Sequence, residues 1–219
     1  MSNPILDNLA KAGKKAQALV NEIEALVNAD IKLDPLYFMR GTHDVAISSE
    51  YLTLSLRNIA ESMPIDESRD CMINAADALG IEITRDISDC DVTGITTIKI
   101  PALLPARKKN GTKFIAAPFF AAMIRFRNQT GYMENYTHCT IAVEHIYNHK
   151  LGFHKRIRDH DNIELKEIFD VINTFLLTDD SGYYVSHFYN SDIGDEDSTR
   201  ITVMENHHFP HWILGKNRP

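Results

Sequence analysis

The stretch Arg158-Asp159-His160-Asp161-Asn162-Ile163-Glu164-Leu165-Lys166 decides how the C-terminal half of this chain is read. Before it, Tyr136 to Tyr147 alternates as a strand does, and the basic segment Lys155-Arg156-Ile157-Arg158 follows. After it, Ile168, Val171, Ile172 and Phe175 fall on one side of a helix expected from Ile163 to Leu177, with Asp161 or Asn162 as its natural N-cap. Asp179-Asp180 then leads into a strand from Tyr183 to Tyr189, and another is expected from Thr199 to Met204. Strand, helix and strands are thus expected in this order.

The same stretch concentrates chemistry. Two apart at the end of a strand, Asp159 and Asp161 project to one face. They stand where the chain enters a helix, whose N-terminal dipole suits a phosphate. Lys166 and Asp170, four apart, share a helix face. Hydrolysis of a phosphodiester with divalent metal needs several carboxylates and a nearby cation. Taken singly, these residues are an N-cap, a surface ion pair and a turn. Their joint spacing is what points to a metal-dependent nuclease.

Charge supports that reading by its distribution rather than its total. The 219 residues carry a net −7, and the total alone argues against a nucleic-acid partner. Residues 1–93 hold 8 basic and 16 acidic side chains, residues 94–158 hold 11 and 2, and residues 159–219 hold 4 and 12. A +9 block thus abuts a −8 block at Arg158-Asp159, as a polyanion-binding surface beside a metal site would. The alternative is mutual neutralisation of the blocks across the fold. Hydrophobic content of 44% is that of a globular protein, and no apolar run is long enough to span a membrane. Cys71, Cys90 and Cys139 show no paired spacing and fit core positions in a reducing cytoplasm.

Upstream, helices are expected from Pro4 to Asn28, Asp44 to Ser62 and Asp66 to Leu79, the second separated from the first by Asp34-Pro35 and the third ending at Gly80. Residues 1–92 therefore read as a helical block without a recognisable site. Strands are expected at Ile81 to Thr84 and Thr93 to Ile100, followed by the basic turn Arg107-Lys108-Lys109-Asn110-Gly111 and a helix from Ala116 to Asn128. The tail from Asn206 to Pro219 reads as irregular.

The pattern Arg-Asp-x-Asp-Asn, then lysine, aspartate and Asp-Asp-Ser after one helix, resembles the RusA-type Holliday junction resolvases. Thr97-Ile98-Lys99-Ile100-Pro101, the helix around Ala116 to Arg127 and the strand Cys139 to Tyr147 occur in that family's order, so the resemblance spans residues 93–205. It implies a mixed α/β (α+β) fold with a mixed sheet flanked by helices, a homodimer, and Mg²⁺-dependent (or Mn²⁺-dependent) cleavage of branched DNA. By resemblance, Asp159, Asp161 and Asp180 are metal ligands, Asp179 is a supporting or alternative ligand, and Lys166 is the catalytic lysine. Two departures stand out. Lys166 lies five residues after Asp161, where compact members have four, and the helical block at 1–92 is additional. A non-cutting DNA-binding or scaffold protein that keeps the fold is the alternative.

Arg107, Lys108, Lys109, Lys113, Arg125, Arg127, Lys155, Arg156 and Arg158 are the expected phosphate contacts. His207-His208-x-x-His211 lacks the cysteines or helical context of a zinc site, and His145, His149, His154 and His160 read as scattered. His160, between two expected ligands, is the histidine expected near the substrate.

Overall fold

The computed structural model describes residues 4–28, 34–62, 79–86, 94–105, 113–151 and 156–216. The chain divides into two compact units, Met1–Pro64 and Ile65–Pro219. The boundary expected at 92/93 therefore moves upstream, because the strand at 82–86 pairs into the sheet of the second unit. The third expected helix, Asp66 to Leu79, falls almost wholly outside the described residues; Leu79-Gly80 forms a turn, with Gly80 at φ +63°.

The first unit holds helices α1 (Pro4–Val27) and α2 (Pro35–Ser62), which pack on each other. The second helix begins nine residues earlier than Asp44. Asp34-Pro35 does not only end a segment: Pro35 is the first helical residue, and the Asp34 carboxylate accepts the Tyr37 N–H at 2.9 Å. Proline suits that position because its fixed φ is helical and its missing N–H has no partner to lose there. Ala12, Leu26 and Ile59 are buried within this unit. A Cβ on Gly41 would overlap the Leu26 side chain, so glycine is what lets the two helices approach there.

The second unit is built on a five-stranded mixed sheet of order β1-β2-β5-β3-β4, namely β1 (Glu82–Asp86), β2 (Ile95–Ile100), β3 (Cys139–Asn148), β4 (Val185–Gly194) and β5 (Ser198–Glu205). All neighbours are antiparallel except β3 and β4, which run parallel and are joined by a crossover through helix α4 (Lys166–Leu176). Helix α3 (Lys113–Thr130) packs beside α4. Alternate residues of the strands face these helices: Ile98 and Ile100, Ile141 and Val143, Ile201 and Val203 meet Phe119, Met123, Ile168 and Ile172 in one core. The class is α+β, with helices preceding the sheet, as the sequence indicates.

Two boundaries differ. The expected helix from Ile163 starts at Lys166, with Leu165 at its N-cap and no side-chain cap. Asp161 and Asn162 belong to a short 3-10 turn, His160–Asn162, rather than capping α4. The tail is not irregular either. Residues Phe209–Gly215 form a short helix, α5, with Pro210 in its first turn. On the sheet face away from α3 and α4, Phe188 meets Phe209 and Trp212. That contact orders the segment despite its lack of clear amphipathic length.

Candidate functional site

Strands β3 and β4 end together at Asn148 and Gly194, and the chain crosses over from there to α4. In sheets with parallel pairs, side chains and loops beyond the carboxyl ends of the strands form the natural crevice. The segment 156–165 lies at that end. Its anchors are specific. The Arg158 N–H donates to the Tyr147 hydroxyl at 3.2 Å, the Arg158 Nη1 donates to the Leu104 carbonyl at 2.6 Å, and the Glu164 N–H donates to the Pro105 carbonyl at 3.1 Å. The Arg156 guanidinium forms a two-pronged ion pair with Asp197, which also accepts the Asn148 N–H at 2.8 Å. The hydrogen bond from Arg156 is the main reason the Asp197 carboxyl is held below its ordinary range.

Between these anchors Asp159 and Asp161 are exposed. Asp159 is extended, at φ −65° and ψ 137°, and Asp161 lies inside the 3-10 turn, so the shared strand face expected for them is replaced by a turn. The His160 ring lies 5.7 Å from that of Tyr189, and its Nε2 is 3.3 Å from the Ser191 hydroxyl. Beneath it His145, on β3, is 2% exposed, and neither of its ring nitrogens has a hydrogen-bond partner among the described residues. Burial, then the neighbouring His160 and Arg158, push its pKa down to about 4, so it is neutral near pH 7.

Lys166 is the first residue of α4 and exposed; its N–H reaches Glu164 Oε1 at 3.4 Å. A lysine in the first turn opposes the helix dipole, so its position is set by the preceding turn rather than by helix preference. The second acidic pair is elsewhere. Asp179 Oδ1 accepts the Ser181 N–H at 2.7 Å, and Asp180 Oδ2 accepts Asn173 Nδ2 at 3.1 Å, both at the far end of α4. Eleven helical residues at roughly 1.5 Å each separate the two ends by about 15 Å. Among the described residues, no three His, Cys, Asp or Glu side chains gather where they could hold a metal ion. The chain thus brings Asp159, Asp161, His160, Arg158 and Lys166 to one end of α4 and Asp179 and Asp180 to the other.

The expected phosphate contacts divide likewise. Arg107, Lys108, Lys109 and Lys155 lie outside the described residues, and Lys113 begins α3. Arg156 and Arg158 are at the Asp159 end but engaged by Asp197 and Leu104. Arg125 Nη2 donates to the Ile81 carbonyl at 3.3 Å, and Arg127 sits 5.8 Å from the Phe175 ring, near the last turn of α4. Some cross-block neutralisation therefore occurs: Arg156 pairs with Asp197, and Glu144 with Lys216 and Arg200. Sequence reasoning did not single out Ser191, Tyr189, Tyr147 or Asp197, and read His145 as scattered. No local spacing ties them to Asp159; only the pairing of β3 with β4 and the turn between β4 and β5 does.

Helices of the described residues are too short or too polar to cross a membrane. No curated protein and no solved structure matches the chain. One family model does, over residues 2–218, and the chain belongs to that family, DUF6100, whose function is unknown.

Proposed function

We propose that this member of the DUF6100 family is a Mg²⁺-dependent, structure-specific DNA endonuclease that cuts branched DNA such as four-way junctions, in the cytoplasm and as a homodimer. The observation that carries the reading is the Asp159-His160-Asp161 turn with both aspartates exposed, held between anchored Arg158 and Glu164 at the carboxyl end of the β3–β4 pair. Two hard carboxylates suit Mg²⁺, which commonly takes one or two from the protein and fills its shell with water and substrate phosphate. When bound, the ion supplies Lewis-acid neutralisation of the phosphate. The protein's own part is to present Asp159 and Asp161 to the ion, to set the Lys166 ammonium beside the phosphate, and to keep His160 oriented through Ser191.

A second reading has its own support. The separation of Asp179 and Asp180 from Asp159 and Asp161 favours a DNA-binding or scaffold protein of the same fold that does not cut. Incubation of the purified chain with a synthetic four-way junction, with Mg²⁺ and then with EDTA, separates the two. Cleavage in Mg²⁺ alone, lost in Asp161→Asn while junction binding persists, is the expected result. Binding by folded protein without cleavage in either condition abandons the nuclease reading. Asp180→Asn then reports whether the distant carboxylate takes part, since loss of cleavage there requires a second chain to bring it to the site.

A further inference from the structure

The helical hairpin keeps an apolar seam that its own packing does not use. Along α1, Leu6, Leu9, Gly13, Ala16, Val20, Ile23 and Val27 alternate at three and four residues, a strict heptad a/d pattern over the whole helix. The residues that α1 buries or half-buries are mostly a different set: Ile5, Ala12, Leu19 and Leu26, seven apart, with Ala16 alone shared. Leu6, Leu9, Val20, Ile23 and Val27 remain between 42% and 77% exposed. Gly13 adds an independent sign. Glycine is a poor helix former, and the other glycine of the hairpin, Gly41, is explained by its close approach to Leu26. A Cβ on Gly13 meets nothing within 4 Å among the described residues. No contact among the described residues asks for glycine there.

We infer that the Leu9–Val27 seam of α1 is a self-association surface whose partner is α1 of a second copy of this chain, running antiparallel. The seam is self-complementary in that direction. An antiparallel heptad pairing sets each a position against a d position, and one register brings Leu9 against Val27, Gly13 against Ile23, and Ala16 against Val20 of the second copy, each contact occurring twice about the two-fold axis. Small residues then receive large ones. In parallel pairing Gly13 would face Gly13 and Ala16 would face Ala16, leaving a gap in mid-seam. A helix of 24 residues, about 36 Å long, buries on the order of 500–600 Å² per partner along such a seam, the low end for a specific interface, so a dimer in the micromolar range is expected. The inference stands on the hairpin and does not depend on the nuclease reading.

Sedimentation equilibrium of the full chain from 2 to 200 µM tests it, with helicity followed by circular dichroism. The wild type is expected to approach twice its 24.9 kDa mass, and Ile23→Lys to raise the dissociation constant at least thirtyfold. Because Ile23→Lys could also weaken the hairpin, Gly13→Ala is the sharper variant. Alanine favours the helix and has room in the monomer, so lost association with equal or higher helicity can come only from the seam. An expected rise of about tenfold in the dissociation constant for Gly13→Ala supports the interface. A wild type that stays monomeric at 200 µM overturns the inference, and so does a dimer indifferent to both substitutions.

Discussion

At the scale of single residues, two buried groups carry consequences that can be measured. His145 has an ordinary pKa near 6.5 when unfolded and about 4 when folded, because the folded chain buries it beside His160 and Arg158. Its neutral form is the one the fold accepts. Stability from this residue is therefore intact above about pH 6.5, falls as pH drops toward 4, and levels off below, a loss of about 3 kcal/mol in all. Urea unfolding at pH 7.5 and 4.5 should show a steeper decline in the wild type than in His145→Leu; parallel declines would show that other groups carry it. Asp197, whose carboxyl is depressed by Arg156, contributes a loss of the same sign in acid, and the comparison of variants removes it. Glu134 is the second such group. It is 2% exposed, and it holds Arg85, the Gly94 N–H at 2.9 Å and the Tyr132 hydroxyl at 3.1 Å. Arg85→Ala leaves that carboxylate buried beside neutral donors only, and a loss of about 3 kcal/mol is expected from denaturant melts at pH 7.5. Less than 1 kcal/mol would mean that water replaces the guanidinium.

At the scale of elements, α5 is the case where local sequence says least and contact says most. Its seven residues are too few to hold a helix in water. Phe209 and Trp212 lie against Phe188, and Lys216 is 4.1 Å from the Trp212 ring centroid while pairing with Glu144, which is fully buried on β3. Lys216→Met removes the closest cation, leaving Glu144 with Arg200 at 3.8 Å and Asn190 at 3.4 Å. The expected outcome is a loss of 2–3 kcal/mol, partly recovered in the Glu144→Gln, Lys216→Met double variant, as a buried pair requires. Additive losses would show that the two side chains do not act together. The start of α4 teaches the complementary lesson. Asp161 and Asn162 have the chemistry of N-caps, yet the 3-10 turn and the Glu164–Pro105 backbone bond delay the helix to Lys166. The cap preference is worth about 1 kcal/mol, and a tertiary hydrogen bond with the packing of Ile163 and Leu165 outweighs it.

At the scale of the molecule, the division at Pro64/Ile65 leaves the sheet with a core that, among the described residues, comes from its own unit. A fragment from Ile65 to Pro219 is expected to unfold cooperatively with its near-ultraviolet dichroism preserved; a non-cooperative melt would show that the helical unit is needed for its fold. The sequence by itself determined the helices of the hairpin, the strands, their alternation and the mixed class, since hydrophobic periodicity, proline and glycine act over a few residues and do not await the rest of the chain. It also determined the order of the chemistry: two aspartates, a lysine and two more aspartates around one helix. Only the tertiary structure decided what that order means in space. The parallel pairing of β3 with β4 fixes the crossover, and a straight helix of about 15 Å then holds the two acidic pairs apart while bringing His145, Ser191 and Tyr189 up to the first. Neighbours along a chain are separated by rigid elements, and distant residues are joined by strand pairing, so which side chains share a site is a property of the sheet and not of the spacing.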